Sequence, residues 1–221
     1  MLNTVKHLAE CLTSSHCGIY PFGDSFGELK FSSSQPTLSY RVGVSLRMTK
    51  KIVNMKDNNQ ELLPLVDAEG RVIGSATRGQ CHDGSKLLHP VVHLHVFDSA
   101  GRLYLQQRPL WKDIQPGKWD TAVGGHVDYG EEIADALLRE VREELGIEEF
   151  VPEFLMRYIF ESERDRELVH VYRTTYDGDI CPTAELDGGR FWTLEEIRET
   201  IGKGVLTPNF ESEYLRIMDF L

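Results

Sequence analysis

The sequence predicts an α/β sandwich built on a mixed β-sheet. Three observations predict it. Strand-like patterning begins at Leu62 and recurs through several short apolar or alternating runs. One strongly periodic helical stretch, Glu131–Leu145, interrupts those runs. Further strand patterns follow it, and two helical stretches close the chain. A sheet flanked by helices accommodates that order.

The elements follow in turn. Residues 1–60 have a texture of their own, with the Ser32–Ser34 run, scattered Gly and Pro and little helical periodicity. They are expected to be a loosely ordered N-terminal arm, or upstream sequence ahead of a later start at Met48 or Met55. Within them Tyr40, Val42, Val44, Leu46 and Met48 alternate with Arg41, Gly43, Ser45 and Arg47, the pattern of a short strand. The segment lacks a signal-peptide core and is not Arg-rich enough for a transit peptide. Residues 61–221 are expected to form the folded domain. Leu62–Val66 and Arg71–Ala76 flank a turn at Asp67–Gly70 and predict a hairpin. Pro90–Phe97 and Arg102–Gln107 flank Asp98–Gly101 and predict a second. In Glu131–Leu145 the residues Ala134, Leu137, Leu138, Val141 and Leu145 fall at helical spacing, and Gly146 is a suitable stop. Phe154–Glu161 and Leu168–Tyr176 predict two more strands, Leu194–Ile201 and Asn209–Phe220 two helices.

Composition excludes several function classes. The 221 residues carry a formal net charge of −11, with 41% hydrophobic and 27% charged residues. That is ordinary globular composition. No apolar run is long enough to cross a membrane as a helix, so no membrane partner is expected. Residues 61–221 are acidic, which argues against nucleic acid as a partner. A small phosphorylated ligand stays compatible, because a few Arg and Lys plus a divalent cation can hold it. Cys11, Cys17, Cys81 and Cys181 form neither a zinc pattern nor a disulfide framework, and a reducing cytoplasm is the expected location.

The strongest chemical signal lies in the central helix and the segment before it. Gly125 is followed after five residues by Glu131, and after seven more by Arg139-Glu140-Val141-Arg142-Glu143-Glu144-Leu145-Gly146-Ile147. On a helix Glu140, Glu143 and Glu144 stand at i, i+3 and i+4 and share a face. Like charges so placed destabilise a bare helix, whereas a divalent cation between them reverses the sign. Gly124-Gly125 would let a loop approach closely and offer backbone carbonyls as further ligands.

This segment resembles the Nudix box, with every defining position matched. The resemblance implies a Nudix-type α/β/α sandwich and hydrolysis of a nucleoside diphosphate derivative or another small diphosphate with Mg²⁺ or Mn²⁺. It implies that Glu140, Glu143 and Glu144 bind metal, joined by Gly124, with Glu143 the first choice of general base and Glu140 the second. Arg139 would orient Glu140 or pair with Glu131, and Gly125 would be structural. A homodimer is compatible with it.

The segment from Leu65 to Ile147 is also similar to type I isopentenyl diphosphate isomerases, which share this fold. Leu87-Leu88-His89, the run from Leu105 to Lys112, Pro116–Asp120 and Gly125-His126 carry the likeness. It implies a second metal or substrate site at His82, His89, His126, Asp165 and Glu167, and diphosphate contacts at Arg78, Arg108 and Lys112. Two departures favour hydrolysis over isomerisation. Gly124 stands where the isomerases need a cysteine, and the box is complete where theirs is degraded. The competing readings are an isomerase of prenyl diphosphates and a Nudix-fold ligand sensor without turnover. His93 and His95 are expected to be hydrogen-bonded packing residues, and Cys81 a small packing residue. Trp111 and Trp119 could stack on a substrate base, with Trp119 expected in the core.

Overall fold

The computed structural model describes residues 58–112 and 114–220. The alternating Tyr40–Met48 stretch and the rest of the expected arm up to residue 57 lie outside the described residues. A two-stranded antiparallel hairpin comes first, β1 (Leu62–Val66) against β2 (Val72–Thr77). The short helix α1 (Arg78–Cys81) follows directly, closed by a capping box between Thr77 and Gln80.

A mixed sheet forms the body. Its strands are β3 (Leu88–Phe97), β4 (Leu103–Gln107), β5 (Trp119–Thr121), β6 (Val123–His126), β7 (Glu153–Glu161), β8 (Arg166–Thr175) and β9 (Gly189–Trp192). Their main order is β5-β4-β3-β8-β7, with β6 also paired to β3 and β9 to β4. β3 and β8 run parallel over ten residue pairs, from Leu88–Arg166 to Phe97–Thr175, and the other pairings are antiparallel. β3 is the central strand, and all ten of its residues are buried.

The alternation along β3 separates two cores. Val92, Leu94 and Val96 pack with Leu137, Val141 and Leu145 of helix α2 (Ile133–Leu145). Val91 and Phe97 belong to the other cluster, with Ile197 of α3 (Leu194–Thr200) and Phe210, Tyr214 and Ile217 of α4 (Pro208–Ile217). Helices therefore cover both faces of the sheet, the expected sandwich. Each fully buried aliphatic side chain in these layers contributes about 1.5–3 kcal/mol of transfer free energy.

Several boundaries differ from the sequence reading. In α2 the buried positions are Ala136, Leu137, Val141, Glu144 and Leu145, while Ala134 and Leu138 face solvent. The core-facing stripe of this helix thus includes one carboxylate of the box. Gly146 does end the helix, in the left-handed conformation at φ 67°, with its N–H on the Arg142 carbonyl. The final helix stops at Ile217 and tightens into a 3₁₀ turn over Met218–Phe220. Gly124 and Gly125 lie on strand β6 rather than in a loop, opposite His93 and Val92 of β3.

Candidate active site

Helix α2 and strand β6 build one wall of a cavity of about 730 Å³. Glu140, Glu143 and Glu144 all line it, as do Gly124 and Gly125. Glu140 leans across Gly125 so closely that a Cβ there would overlap its carboxyl group. The glycine at this box position is therefore required by the glutamate fifteen residues later. Glu144 is buried, and its Oε2 accepts the Gly124 N–H at 3.3 Å and the Gln106 amide at 3.4 Å. Glu143 is half-exposed at the cavity edge.

Arg139 ties this wall together. Its guanidinium donates to both oxygens of Glu131 at 2.9 and 2.8 Å, to Glu140 at 2.8 Å, to Glu143 at 3.2 Å and to the His126 carbonyl at 3.0 Å. Both expected roles, orienting Glu140 and pairing with Glu131, are thus filled by one side chain. Glu131 also accepts the Asp128 N–H at 3.0 Å.

Burial governs the electrostatics. It pushes the Glu140 carboxyl up to about 7, although the Arg139 guanidinium pulls the other way. Burial, with the Glu140 charge beside it, pushes Glu144 well above the carboxylate range. Two desolvated carboxylates on one face suit a hard divalent cation, which supplies the positive charge that a proton otherwise must. Three carboxylates, of Glu140, Glu143 and Glu144, supply oxygen donors to this wall.

A second cluster lies on the opposite face of β6 from Gly125. One ligand atom from each of His82, His89, His126 and Glu167 falls within 4.8 Å of the others. The His82 and His126 Nε2 atoms are 3.0 Å apart, and the His89 and His126 rings stack with centroids 5.5 Å apart. His89 donates from Nδ1 to the Leu87 carbonyl at 3.0 Å, which leaves its buried Nε2 with no partner among the described residues. Burial lowers the His89 and His126 rings below the usual range, so both are neutral and able to donate a lone pair. Burial, reinforced by Asp165, lifts Glu167 to about 7. An orphaned imidazole nitrogen facing two more rings and a carboxylate fits a divalent metal. Asp165 stands outside this group: it lines the cavity, and its carboxylate takes a short hydrogen bond from the Ser162 hydroxyl.

The basic residues differ in role. Arg78, Arg108 and Lys112 all line the cavity. Arg78 pairs with Glu61 at 3.1 Å, and Lys112 sits over the Trp111 ring at 4.8 Å. Arg108 is turned to its own loop, donating to the Ile114 carbonyl at 3.2 and 3.0 Å and to Asp120 at 3.1 Å. It shapes the loop that carries Lys112. Neither Trp111 nor Trp119 is among the cavity-lining residues; Trp119 is partly buried and packs edge-on against Trp192 at 5.2 Å, at the margin of the core.

The sequence reading missed three contributors. Gln106 bonds Glu144 from β4. Glu185, from the loop before β9, lines the cavity and raises both Glu140 and Glu144. Glu213 of α4 receives His93 and His95. Each is distant in sequence from the box, and no local pattern marks it. His93 and His95 are hydrogen-bonded, as expected, both to the Glu213 carboxylate, and His93 also lines the cavity. Burial disfavours charge on His93, but the Glu213 carboxylate outweighs it and holds the ring up to about 9.

The family model for the NUDIX domain matches residues 87–210. An uncharacterised Nudix hydrolase of Pseudomonas aeruginosa is 35% identical over 64% of this chain and 86% of its own length. An isopentenyl-diphosphate Delta-isomerase of Serratia proteamaculans is 31% identical over 72% of this chain and 89% of its own. One from Mycolicibacterium vanbaalenii is 45% identical, but the match spans 39% of this chain and about half, 48%, of that protein. The crystal structure of the DR0079 protein of Deinococcus radiodurans superposes with a TM-score of 0.63 at 25% identity, over 71% of this chain and 98% of that one. With the complete box folded onto a cavity wall and these matches, the chain belongs to the Nudix hydrolase superfamily, on the branch that also holds isopentenyl diphosphate isomerases.

Proposed function

We propose that the protein is a divalent-metal-dependent hydrolase of a diphosphate linkage, in a nucleoside diphosphate derivative or a related small diphosphate. The observation that carries this reading is the convergence of Glu140, Glu144 and Gly124 on one wall of a cavity that basic side chains also line. Glu140, Glu143, Glu144 and the Gly124 carbonyl would hold Mg²⁺ or Mn²⁺. That ion, when bound, neutralises diphosphate charge and polarises phosphorus. Arg78 and Lys112 bind the phosphate oxygens as counter-charges, and Arg108 keeps the loop of Lys112 in place. Glu143 is the general base: it is half-exposed at the cavity edge, so water reaches it, and Arg139 fixes its carboxylate at 3.2 Å. It accepts the proton of the attacking water; the second phosphate departs with the bond pair. Glu140 is the alternative base.

The histidine cluster favours a second metal or substrate site at His82, His89, His126 and Glu167, with Asp165 at its border. The isomerase alternative is kept because a relative named as an isomerase is 31% identical over 72% of this chain. A ligand sensor without turnover has the intact carboxylates against it. The reading takes the cytoplasm as the protein's location and is compatible with a homodimer.

Phosphate or nucleoside monophosphate release from a panel of diphosphates, with and without Mg²⁺, tests the proposal. Metal-dependent release is expected. Glu143→Gln and Glu144→Gln should each lower it on the order of 10²-fold or more with the fold retained. Near-normal turnover in either variant removes the box from the mechanism. No release from any diphosphate removes the hydrolase.

A further inference from the structure

Glu213 is a charged side chain that the metal-binding wall does not use. It lies on α4 with no solvent exposure. Three groups donate to its carboxylate: His93 Nδ1 at 2.9 and 3.1 Å, His95 Nε2 at 2.6 Å and the Tyr158 hydroxyl at 2.7 Å. Desolvating a carboxylate costs several kcal/mol, and apolar side chains of similar volume often serve packing as well or better. The three donors hold it in one orientation.

Of those donors, His93 is the one that lines the cavity. A carboxylate only accepts, so Nδ1 of His93 carries a proton, and a ring flip forfeits the bond. Nε2 therefore faces Gly124, its register partner on β6, 3.6 Å from where a Cβ at that residue would sit. That is ordinary van der Waals contact, so the ring lies against Gly124 with no side chain between them. With no side chain at position 124, an imidazole from the neighbouring strand is the polar group over it. Gly124 in turn donates to Glu144, so His93 borders the box wall directly.

We propose that His93 contacts the substrate through Nε2, donating to a diphosphate oxygen, and that Glu213 is its positioning residue. The C-terminal helix α4 is then part of the substrate-binding machinery rather than a cover for the sheet. The kinetic arm of the test rests on the hydrolase reading; the binding arm stands apart from it.

The test uses the full-length protein with ¹⁵N-labelled histidine, Mg²⁺ and methylenediphosphonate, a diphosphate that cannot be hydrolysed. Comparison with His93→Gln identifies the His93 ring signals. On adding ligand, the His93 Nε2 signal should move and the His95 signals should stay. By calorimetry, His93→Phe should weaken binding tenfold or more, and His93→Gln, which keeps an amide donor, should recover part of it. With a hydrolysed diphosphate, kcat/KM of His93→Phe should fall about 10- to 100-fold, the larger share in KM. Glu213→Gln, its melt checked first, should show a smaller loss of the same kind. An unmoved His93 signal under bound ligand, unchanged affinity in a folded His93→Phe, or no binding of methylenediphosphonate at all overturns the proposal. A ligand-shifted His93 in a protein that hydrolyses nothing supports the contact while the hydrolase reading fails.

Discussion

Replacing Glu140 by Gln should make the metal-free protein more stable above neutral pH while abolishing its response to metal. The reasoning starts from burial. Glu140 titrates at about 7 in the folded protein against an ordinary value of 4.5. A carboxyl whose folded pKa is raised contributes its full stability below the unfolded value and loses it as pH rises through the folded one. Between about pH 4.5 and 7 the metal-free protein should therefore weaken, by roughly 3 kcal/mol in all. Gln is a near-isostere of the protonated acid and has no charge to desolvate. Its bond from Arg139 is weaker than the 2.8 Å charge-assisted one it replaces, by about 1 kcal/mol. The net gain at pH 8 is on the order of 1–2 kcal/mol, or roughly 2–8 °C for a chain of this size. Mg²⁺ at 100 times its dissociation constant should add about 2.7 kcal/mol to the wild type and little to the variant. Thermal melts at pH 5 and pH 8, with chelator and with Mg²⁺, read all of this. A variant that melts below the wild type at pH 8 with chelator, or gains as much from Mg²⁺, refutes the reasoning.

Gly125→Ala should lower turnover on the order of 10²-fold, because its Cβ displaces the Glu140 carboxyl group from Arg139 and from the cavity wall; wild-type rates would show that Glu140 need not sit there. Isopentenyl diphosphate should yield no dimethylallyl product, since Gly124 replaces the thiol, and Gly124→Cys should not create an isomerase although a Cβ there meets the His93 ring only at ordinary contact distance; detection of product by the unaltered protein reverses the ranking of the two enzyme readings. A chain shortened to residues 56–221 should fold and keep its rate, because every cavity-lining residue described lies between Asn59 and Asn209; a melt many degrees lower, or lost activity, would assign residues 1–55 a structural part.

What was legible in the sequence was local. The i, i+3, i+4 spacing of Glu140, Glu143 and Glu144 is a property of helical geometry alone, and the wall they form follows from it. The hairpins around Asp67–Gly70 and Asp98–Gly101 and the Gly146 stop were legible for the same reason, since turn chemistry and periodicity act within a few residues. Strands β5, β6 and β9 have only three or four residues each, too few for a period to show, and neighbours in the sheet determine them. The face of α2 was read imperfectly: hydrophobicity nominated Ala134 and Leu138, whereas the sheet buries Ala136 and Glu144. Nothing local distinguishes a glutamate that will be desolvated beside Gly124 from one that stays half-exposed, because desolvation is set by what packs on top. The same holds for Gln106 against Glu144, thirty-eight residues apart, and for Glu213 against His93, one hundred and twenty apart. The sequence by itself determined the three glutamates of the box, the helix that carries them and the family they belong to. Tertiary structure alone decided which carboxylates lose their water, why Gly125 can be nothing larger, and which buried acid aims His93 at the cavity, because burial and hydrogen-bond partnership are relations between segments that meet only when the chain folds.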